Sequence, residues 1–179
     1  MHTHFPPATV SLRDGTPVRL RFLRPDDTER IKAFFYRLSP ESIFYRLLEF
    51  RTTISDEEAR WLCDVDGVTR VAIAATVGAD ADEAIIAVAR YGLTEADNPT
   101  AGEAAVVVED GYQRRGLGKV LVSRLVEYAL AHGVRRFTAT IHVNNEAILR
   151  FIQHSGFKVE RKFNAGAWDV MIELQRPKQ

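Results

Sequence analysis

The sequence predicts an α/β (α+β) fold, a single domain whose mixed and mostly antiparallel central sheet has about six to seven strands and helices on both faces. Alternating apolar segments joined by short turns predict antiparallel strand pairs in both halves of the chain. A strand, a glycine turn, a helix and a second strand follow one another in the second half, which predicts one parallel pair. A mixed sheet covered by helices on both faces satisfies both observations.

Composition narrows the class of protein. The chain has 179 residues, of which 46% are apolar and 27% charged, as is typical of a globular domain. We expect one domain over residues 1–179, with residues 1–15 as a flexible N-terminal extension. The 24 basic residues balance the 24 acidic ones, so we expect neither nucleic acid nor a membrane surface as a partner. Any electropositive site must therefore be confined to one part of the surface.

Cysteine and histidine content also limits the possibilities. The single cysteine, Cys63, excludes an internal disulfide framework and fits a reducing compartment, so we expect a cytoplasmic protein with a buried thiol. No apolar run is long enough to span a bilayer, and the N-terminus lacks the apolar core of a signal peptide. His2 and His4 have no Cys, Asp or Glu beside them, so no metal site is expected.

The first strand and helix are predicted from periodicity. At residues 18–23, apolar residues alternate with Arg19 and Arg21, the pattern of a half-buried strand. A helix follows, with Asp26 and Glu29 as its capping box. Its apolar residues are spaced i, i+3, i+4 and i+7 and are Ile31, Phe34, Phe35 and Leu38.

Two further helices follow. Ser39 and Pro40 open the first, whose apolar face consists of Ile43, Phe44, Leu47 and Leu48. Ser55 and Glu58 form a capping box for the second, and we expect Trp61 and Leu62 on its buried side. We interpret these aromatic stripes as core.

A hairpin and a polar loop complete the first half. Residues 71–77 and 85–91 alternate as strands, and the short acidic turn between them predicts antiparallel pairing. The loop over residues 94–102 contains Asn98 and Pro99, and a loop at this position could shape an acceptor site.

The second half begins with a continuous apolar run at residues 104–108, as expected of a central strand. A helix runs from the glycine turn to His132 and Gly133, and a strand follows at residues 137–143. Asn144 or Asn145 caps the last helix. Two final strands, at residues 157–163 and 168–174, are joined by a tight turn.

The glycine turn has the features of a phosphate site. The first amides of a helix have no partner within it, and the helix dipole places positive charge there. Gly116 and Gly118 remove side chains that would keep a phosphate away. Arg114, Arg115 and Lys119 add formal charge on the same side. The sequence therefore predicts a site for a phosphate-bearing cofactor.

Two common phosphate motifs do not fit. Gly111 and Gly116 have the first spacing of a Walker A loop, but Leu117 stands in place of its lysine. A dinucleotide fingerprint needs a third glycine after Gly118, where Leu121 stands instead. Hydrolysis of a nucleoside triphosphate and binding of a dinucleotide are both disfavoured.

The turn resembles a third motif. Gln113, Arg114, Arg115, Gly116, Leu117 and Gly118 match the Gln/Arg-x-x-Gly-x-Gly/Ala acyl-CoA loop of the GNAT superfamily of N-acetyltransferases. The preceding valine-rich strand, Asn144 followed by Ala147 and Ile148, and the pair Gly156 and Phe157 occur in the family's order. The chain is most similar to the acetyltransferase domain of bacterial protein-lysine acetyltransferases, in the stretches at residues 39–46 and 103–110. The fused domains of those enzymes are absent from this sequence.

The resemblance implies a GNAT fold, an acetyl-CoA donor and no metal. It implies that the backbone from Arg114 to Lys119 holds the pyrophosphate, that strand residues 106–108 pair with the pantetheine arm, and that a strand amide near Val107 stabilises the oxyanion. The residues implied in cofactor binding are Val106, Val107, Val108, Gln113, Arg114, Arg115, Gly116, Leu117, Gly118, Lys119, Asn144 and Phe151.

Two catalytic roles are assigned through the same resemblance. Glu103 stands where relatives carry a general base, although a solvated glutamate at a strand start is the alternative interpretation. Glu109 is a rival carboxylate better suited to support of the loop. Phe151 occupies the place of a tyrosine that protonates the leaving thiolate in many members. His142 or Tyr112 could replace that tyrosine, or the thiolate could leave without a proton.

We therefore predict acetyl transfer from acetyl-CoA to a primary amine, with Glu103 as the base. The acceptor is a protein lysine or a small molecule, and the protein acts as a monomer or a homodimer. A non-catalytic sensor that binds acyl-CoA is the alternative from another functional class.

Overall fold

The computed structural model describes residues 7–94 and 99–175, in which one eight-stranded sheet is flanked by five α-helices. The predicted mixed sheet is confirmed, with more strands than expected. None of the helices in these ranges is both long and apolar enough to cross a membrane. The strands are β1 (Ala8–Ser11), β2 (Pro17–Phe22), β3 (Arg70–Val77), β4 (Ala84–Leu93), β5 (Ala101–Val108), β6 (Arg136–His142), β7 (Lys158–Asn164) and β8 (Ala167–Glu173). The helices are α1 (Thr28–Arg37), α2 (Pro40–Leu47), α3 (Asp56–Cys63), α4 (Leu117–Ala131) and α5 (Glu146–His154).

The N-terminal segment supplies the additional strand, so the expectation of a flexible extension over residues 1–15 is wrong for its described part. β1 pairs with β2 in antiparallel register from Ala8 opposite Leu20 to Ser11 opposite Pro17. Gly15 takes the positive φ of 84° that the following turn needs, and Leu12 is buried in the core. These contacts order residues 8–15. His2 and His4 lie outside the described residues, as does Asn98 of the loop before β5.

The strand order is β1-β2-β3-β4-β5-β6-β8-β7. Every neighbouring pair is antiparallel except β5 and β6, which are parallel as predicted. Their pairing runs from Ala101 opposite Arg136 to Glu103 opposite Thr138 and then stops. The rest of β5 is paired with β4 alone. The sheet is therefore split along its middle, and the split begins beside Glu103.

Two helical layers cover the sheet, because β3 is apolar on both faces. Ile73 and its alternate neighbours pack against α4, whereas Ala72 and Ala74 pack against α1, α2 and α3. The alternation expected of a half-buried strand is thus absent from β3, which is buried from end to end apart from its terminal residues. Each large side chain buried here stabilises the fold by about 1.5–3 kcal/mol.

Helix ends agree well with the sequence signals. Ser39 Oγ accepts from the Ser42 amide at 3.1 Å, and Ser55 and Glu58 form the predicted capping box. Asn145, one of the two candidates, caps α5. At α3 the predicted buried side is wrong in part, since Trp61 is 57% exposed while Ala59 and Cys63 are buried. Burial raises the pKa of the Cys63 thiol to about 11.

A buried ion cluster joins β2 to α1, which the sequence did not predict. Arg21, expected on the outer face, is 2% exposed and binds both carboxylate oxygens of Asp27, at 2.7 and 2.8 Å. Its guanidinium also binds Glu83, at 3.0 and 2.8 Å. Asp27 also accepts from the Arg24 amide at 2.8 Å, so the capping box expected from Asp26 and Glu29 does not form.

This cluster is fully paired, as a buried charge must be. The hydrogen bond from Arg21 is the main reason why the pKa of Glu83 falls to about 2. Burial opposes the charge of Arg21, but its hydrogen bonds to Asp27 and Glu83 raise its pKa overall. The cluster fixes the entrance of α1 and the β3–β4 turn to the edge of β2.

We expect Arg21→Met to lower the free energy of unfolding by about 3–5 kcal/mol, because Asp27 would stay buried with only the longer ion pair from Arg30, at 3.5 Å. Urea denaturation at pH 7 measures the effect. Arg19→Met is the matched control, because Arg19 is exposed two residues earlier on the same strand, and it should change the value by about 0.5 kcal/mol or less. Equal effects of the two substitutions would contradict a structural role for the cluster.

Candidate active site

The glycine turn before α4 has two residues with left-handed backbone conformation. Arg114 has φ +59° and Gly116 has φ +91°, and Gly116 is the N-cap of the helix. For Arg114 this conformation costs about 1–2 kcal/mol, and strain of this kind is concentrated at functional sites. The turn directs the free amides of the first helical turn toward the end of β5.

Gly118 leaves room at this helix start. A Cβ built on it would lie 3.8 Å from Val108 Cγ2, which is an ordinary contact. Arg114 and Lys119 are exposed and line the space in front of the turn, together with Gly118. Two positive side chains and a helix N-terminus therefore face one opening, which suits a diphosphate.

Arg115 does not contribute its charge to this opening, which corrects the prediction that the three basic residues share one side. Its guanidinium binds Asp14 at 2.7 Å and lies 5.3 Å from the centre of the Tyr112 ring. The Arg115 carbonyl accepts from the Arg13 amide at 3.4 Å. Arg115 thus attaches the turn to the β1–β2 hairpin. Leu117 also points away, since it is buried in the core beneath α4.

Gln113 and Asp110 attach α2 to the end of β5. The Gln113 amide donates to the Val108 carbonyl at 3.0 Å and to Ser42 Oγ at 3.1 Å. Asp110 accepts from the amide and hydroxyl of Ser39, at 2.9 and 2.6 Å. Burial would raise the pKa of Asp110, but these hydrogen bonds lower it overall. Both side chains therefore hold the wall of the site in place.

An open cleft of about 620 Å³, here called the outer cleft, lies between the C-terminal half of β5 and helices α2, α4 and α5. It brings together most of the residues predicted to bind the cofactor. They are Val106, Val107, Val108, Gln113, Arg114, Gly118, Lys119, Asn144 and Phe151. Arg115, Gly116 and Leu117 do not line it.

The outer cleft leads into a smaller space of about 280 Å³, here called the inner chamber, between the splayed parts of β5 and β6. Tyr45, Arg46, Val106 and Phe151 border both spaces. Glu103 lies at the far end of the inner chamber, where β5 and β6 are still paired. Its side chain is exposed, so it is accessible to a molecule in the chamber.

Backbone alternation shows which groups of β5 face the split. The Glu109 amide donates to the Ile86 carbonyl on β4 at 2.9 Å, so residues two and four positions earlier also turn their amides toward β4. Val106 and Val108 therefore turn theirs toward the split. The amides nearest to Val107 that face the split are therefore those of Val106 and Val108.

Two residues of the site were missed by the sequence reasoning. Tyr45 and Arg46 lie one turn after Ser42 on α2, and all three line the outer cleft. The Tyr45 hydroxyl donates to the Asn144 carbonyl at 3.1 Å, across the mouth of the split. Burial raises the pKa of this hydroxyl, and Glu41 adds to the effect. The signal was the i, i+3, i+4 spacing of these polar side chains opposite the apolar face of the helix.

The other candidate proton donors are placed less favourably. Tyr112 packs under Arg115, and His142 contacts the rings of Phe44 and Tyr45 while its Nδ1 accepts from the Asn144 amide at 3.2 Å. Neither is among the described residues that line the outer cleft or the inner chamber. Glu109 is bound by Arg37 at 3.0 Å, in agreement with a supporting role. No group of three potential metal ligands occurs in the described ranges.

Comparisons with known proteins agree with this geometry. The sequence model of the acetyltransferase (GNAT) family matches residues 29–157. An acetyltransferase of Pseudomonas aeruginosa is 31% identical over 151 residues, which are 84% of this chain and 80% of that protein. The acetyltransferase Pat of Mycolicibacterium smegmatis is 31% identical over 150 residues, and the match spans 84% of this chain but 44% of that protein.

Solved structures give the same result. The GNAT domain of Streptomyces lividans PAT superposes with a TM-score of 0.86 at 29% identity, over 96% of this chain and all of that one. More distant structures of the same fold contain acetyl-CoA or coenzyme A. The family match covers most of the sequence, and the split sheet with a glycine turn beside it is present in the structure. The chain belongs to the acetyltransferase (GNAT) family.

Proposed function

We propose that the chain transfers the acetyl group of acetyl-CoA to a primary amine, with Glu103 as the general base. The observation that carries the proposal is the unpaired edge of β5, which ends beside the open first turn of α4. A donor with amide groups along its arm and a diphosphate at its end matches both features. Acetyl-CoA has this arrangement.

The donor would bind in an extended form. Its diphosphate would accept hydrogen bonds from the amides at the start of α4, with Arg114 and Lys119 supplying charge. Its pantetheine amides would pair with Val106 and Val108 as an added strand does. Phe151 would pack on the arm. The thioester would then lie in the inner chamber, on the side of Glu103.

The reaction follows from this placement. An aliphatic amine has a pKa of about 10.4, so it must lose a proton before it attacks the thioester carbon. Glu103 takes that proton, directly or through a water molecule. The new C–N bond forms while the Val106 amide stabilises the negative charge on the carbonyl oxygen. The C–S bond then breaks while the nitrogen gives up its second proton to water, so that a neutral amide forms and CoA leaves as a thiolate.

Tyr45 is the proton donor that we propose for this thiolate. Tyr45 borders both the outer cleft and the inner chamber. Its hydroxyl carries a proton at neutral pH, as a tyrosine ordinarily does, and burial raises its pKa further. In this role Tyr45 on α2 replaces the tyrosine that many family members carry at the position of Phe151 on α5. Protonation of sulfur completes the transfer and releases CoA.

Gly118→Glu should weaken acetyl-CoA binding by at least about 100-fold, because a carboxylate at the first turn of α4 repels a diphosphate. Isothermal titration calorimetry measures the affinity, and circular dichroism checks the fold. Gly118→Ala is the control, since its Cβ fits beside Val108, and it should change the affinity by less than about fivefold. Normal binding by Gly118→Glu would exclude this turn as the phosphate site.

Glu103→Gln should lower kcat by about 10²-fold or more at pH 7, while the affinity for acetyl-CoA stays the same. The remaining rate should rise with pH, because more of the amine is then unprotonated. Release of the CoA thiol with a panel of amines provides the measurement. Glu109→Gln, which alters a carboxylate outside the chamber, serves as the control and should retain full activity. An unchanged kcat for Glu103→Gln would remove this residue from the mechanism.

Tyr45→Phe should lower kcat by about tenfold and leave the affinity for acetyl-CoA unchanged. This is less than the usual effect of losing an acid catalyst because a thiolate is a tolerable leaving group. Tyr112→Phe is the control and should behave as the parent protein does. A normal kcat for Tyr45→Phe, or an equal loss in both variants, would argue against proton transfer from Tyr45.

A further inference from the structure

A second cavity lies on the opposite side of Arg46 from the outer cleft. It has a volume of about 230 Å³ and is enclosed by α1, α2, α3 and the adjoining face of β4 and β5. Its walls are mostly apolar and include Phe34, Leu38, Ile54 and Val107. Three arginines, Arg46, Arg51 and Arg90, and one carboxylate, that of Glu58, also line it. We call this space the arginine cavity.

Neither Arg46 nor Arg90 pairs with a carboxylate among the described residues. Arg90 makes one long hydrogen bond to the Leu62 carbonyl, at 3.5 Å, and lies 5.2 Å from the centre of the exposed Trp61 ring. Arg46 has no hydrogen bond or ion pair within the described part of the chain. By contrast, Arg51 at the rim of the same cavity is bound to Glu58 at 2.6 Å. Arg46 and Arg90 therefore lack an ion-pair partner among the described residues, although the charge of Glu103 acts on Arg46 without direct contact.

Uncompensated charge is costly in an apolar cavity. Burial lowers the pKa of Arg90 to about 10, and the neighbouring charges of Arg46 and Arg70 act in the same direction. Burial also lowers the pKa of Arg46, although Glu103 partly offsets this effect. An anionic ligand would remove the penalty.

The arginine cavity is connected to Glu103 through the sheet. Arg90 on β4 pairs with Ala105 on β5, and Gly92 pairs with Glu103. Because side chains alternate along a strand, Glu103, Ala105 and Val107 face the same layer as Arg90. A Cβ on Gly92 would meet nothing within 4 Å, so this face of the sheet is open at Gly92, the partner of Glu103. Diagonal neighbours of this kind have Cα atoms about 7–8 Å apart.

We propose that the acceptor is a small amino acid whose amine lies at Glu103, whose carboxylate is held by Arg46 and Arg90, and whose apolar side chain enters the arginine cavity. This inference rests on the proposed acetyl transfer and names its substrate class. The short distance from amine to carboxylate suits a free amino acid. A lysine within a protein carries its carboxyl group as a peptide bond, so it has no such charge near its amine.

Three acceptors with similar apolar groups test the proposal in the full chain. They are L-leucine, L-leucinamide and isoamylamine, of which L-leucine alone has a carboxylate. We expect kcat/KM for L-leucine to exceed the value for L-leucinamide by at least about tenfold, each corrected for its fraction of unprotonated amine. A charge-assisted contact is worth about 10- to 100-fold. Equal values for the two compounds would overturn the proposal.

Variants of the two arginines give the second part of the test. Arg90→Met should lower kcat/KM for L-leucine by about 10- to 100-fold more than it lowers kcat/KM for L-leucinamide, so that the preference for L-leucine is lost. Its melting temperature should not fall, because an unpaired charge is removed. Arg70→Met is the matched control, since Arg70 also lies over Trp61 but is paired with Asp64. An equal loss with L-leucine and L-leucinamide in Arg90→Met would indicate a structural role and overturn the assignment.

Two further outcomes separate this inference from the proposed function. If isoamylamine or a neutral lysine peptide is acetylated as well as L-leucine, the acetyl transfer stands and the carboxylate site is wrong. If no amine releases CoA from acetyl-CoA, the proposed function itself fails. The last part of the test uses succinyl-CoA as the acyl donor in place of acetyl-CoA. A preference for it over acetyl-CoA that is lost in Arg46→Met would assign the arginines to the acyl donor and overturn the acceptor site.

Discussion

The site depends on one break in the backbone hydrogen bonding, at the point where β5 leaves β6 after Glu103. Backbone amides and carbonyls inside a protein must have partners, so an interior strand edge without a neighbouring strand is rare. Gln113 satisfies one exposed carbonyl, that of Val108. The amides of Val106 and Val108 are left for a ligand. The basic turn, the inner chamber and the position of Glu103 all follow from this divergence.

The chain uses three of its arginines in two opposite ways, and Arg21 is buried whereas Arg46 and Arg90 are half-buried. Arg21 is surrounded by the carboxylates of Asp27 and Glu83 and holds the edge of the fold together. Arg46 and Arg90 lie in an apolar cavity without such partners. Arg21 is fully paired and cannot bind a ligand, whereas Arg46 and Arg90 would be stabilised by an anionic ligand. Pairing therefore distinguishes an arginine that supports the structure from one that is available for binding.

Regular elements were predictable from the sequence because each has a local signal. The capping pair Ser55 and Glu58, the hairpin of β3 and β4 and the glycine turn before α4 are all set by neighbouring residues. The features that the sequence did not predict depend on contacts between residues that are far apart in the chain. Strand alternation assigned Arg21 to the surface, but Glu83 lies 62 positions away and cannot be recognised as its partner from sequence. Arg115 is turned away by Asp14, and Tyr45 reaches the site through a carbonyl 99 positions later. The expected binding residues of β5 and α4 shared one cleft because one short connection links them.

Helix α2 is attached on both sides of the split. Ser39 and Ser42 bind Asp110 after the end of β5, and Tyr45 binds Asn144 after the end of β6. The helix therefore connects the ends of two strands that are no longer hydrogen-bonded to each other. These contacts fix the distance between β5 and β6. A ligand that enters the split therefore has little of the protein to order, and less of the interaction energy is lost as conformational entropy.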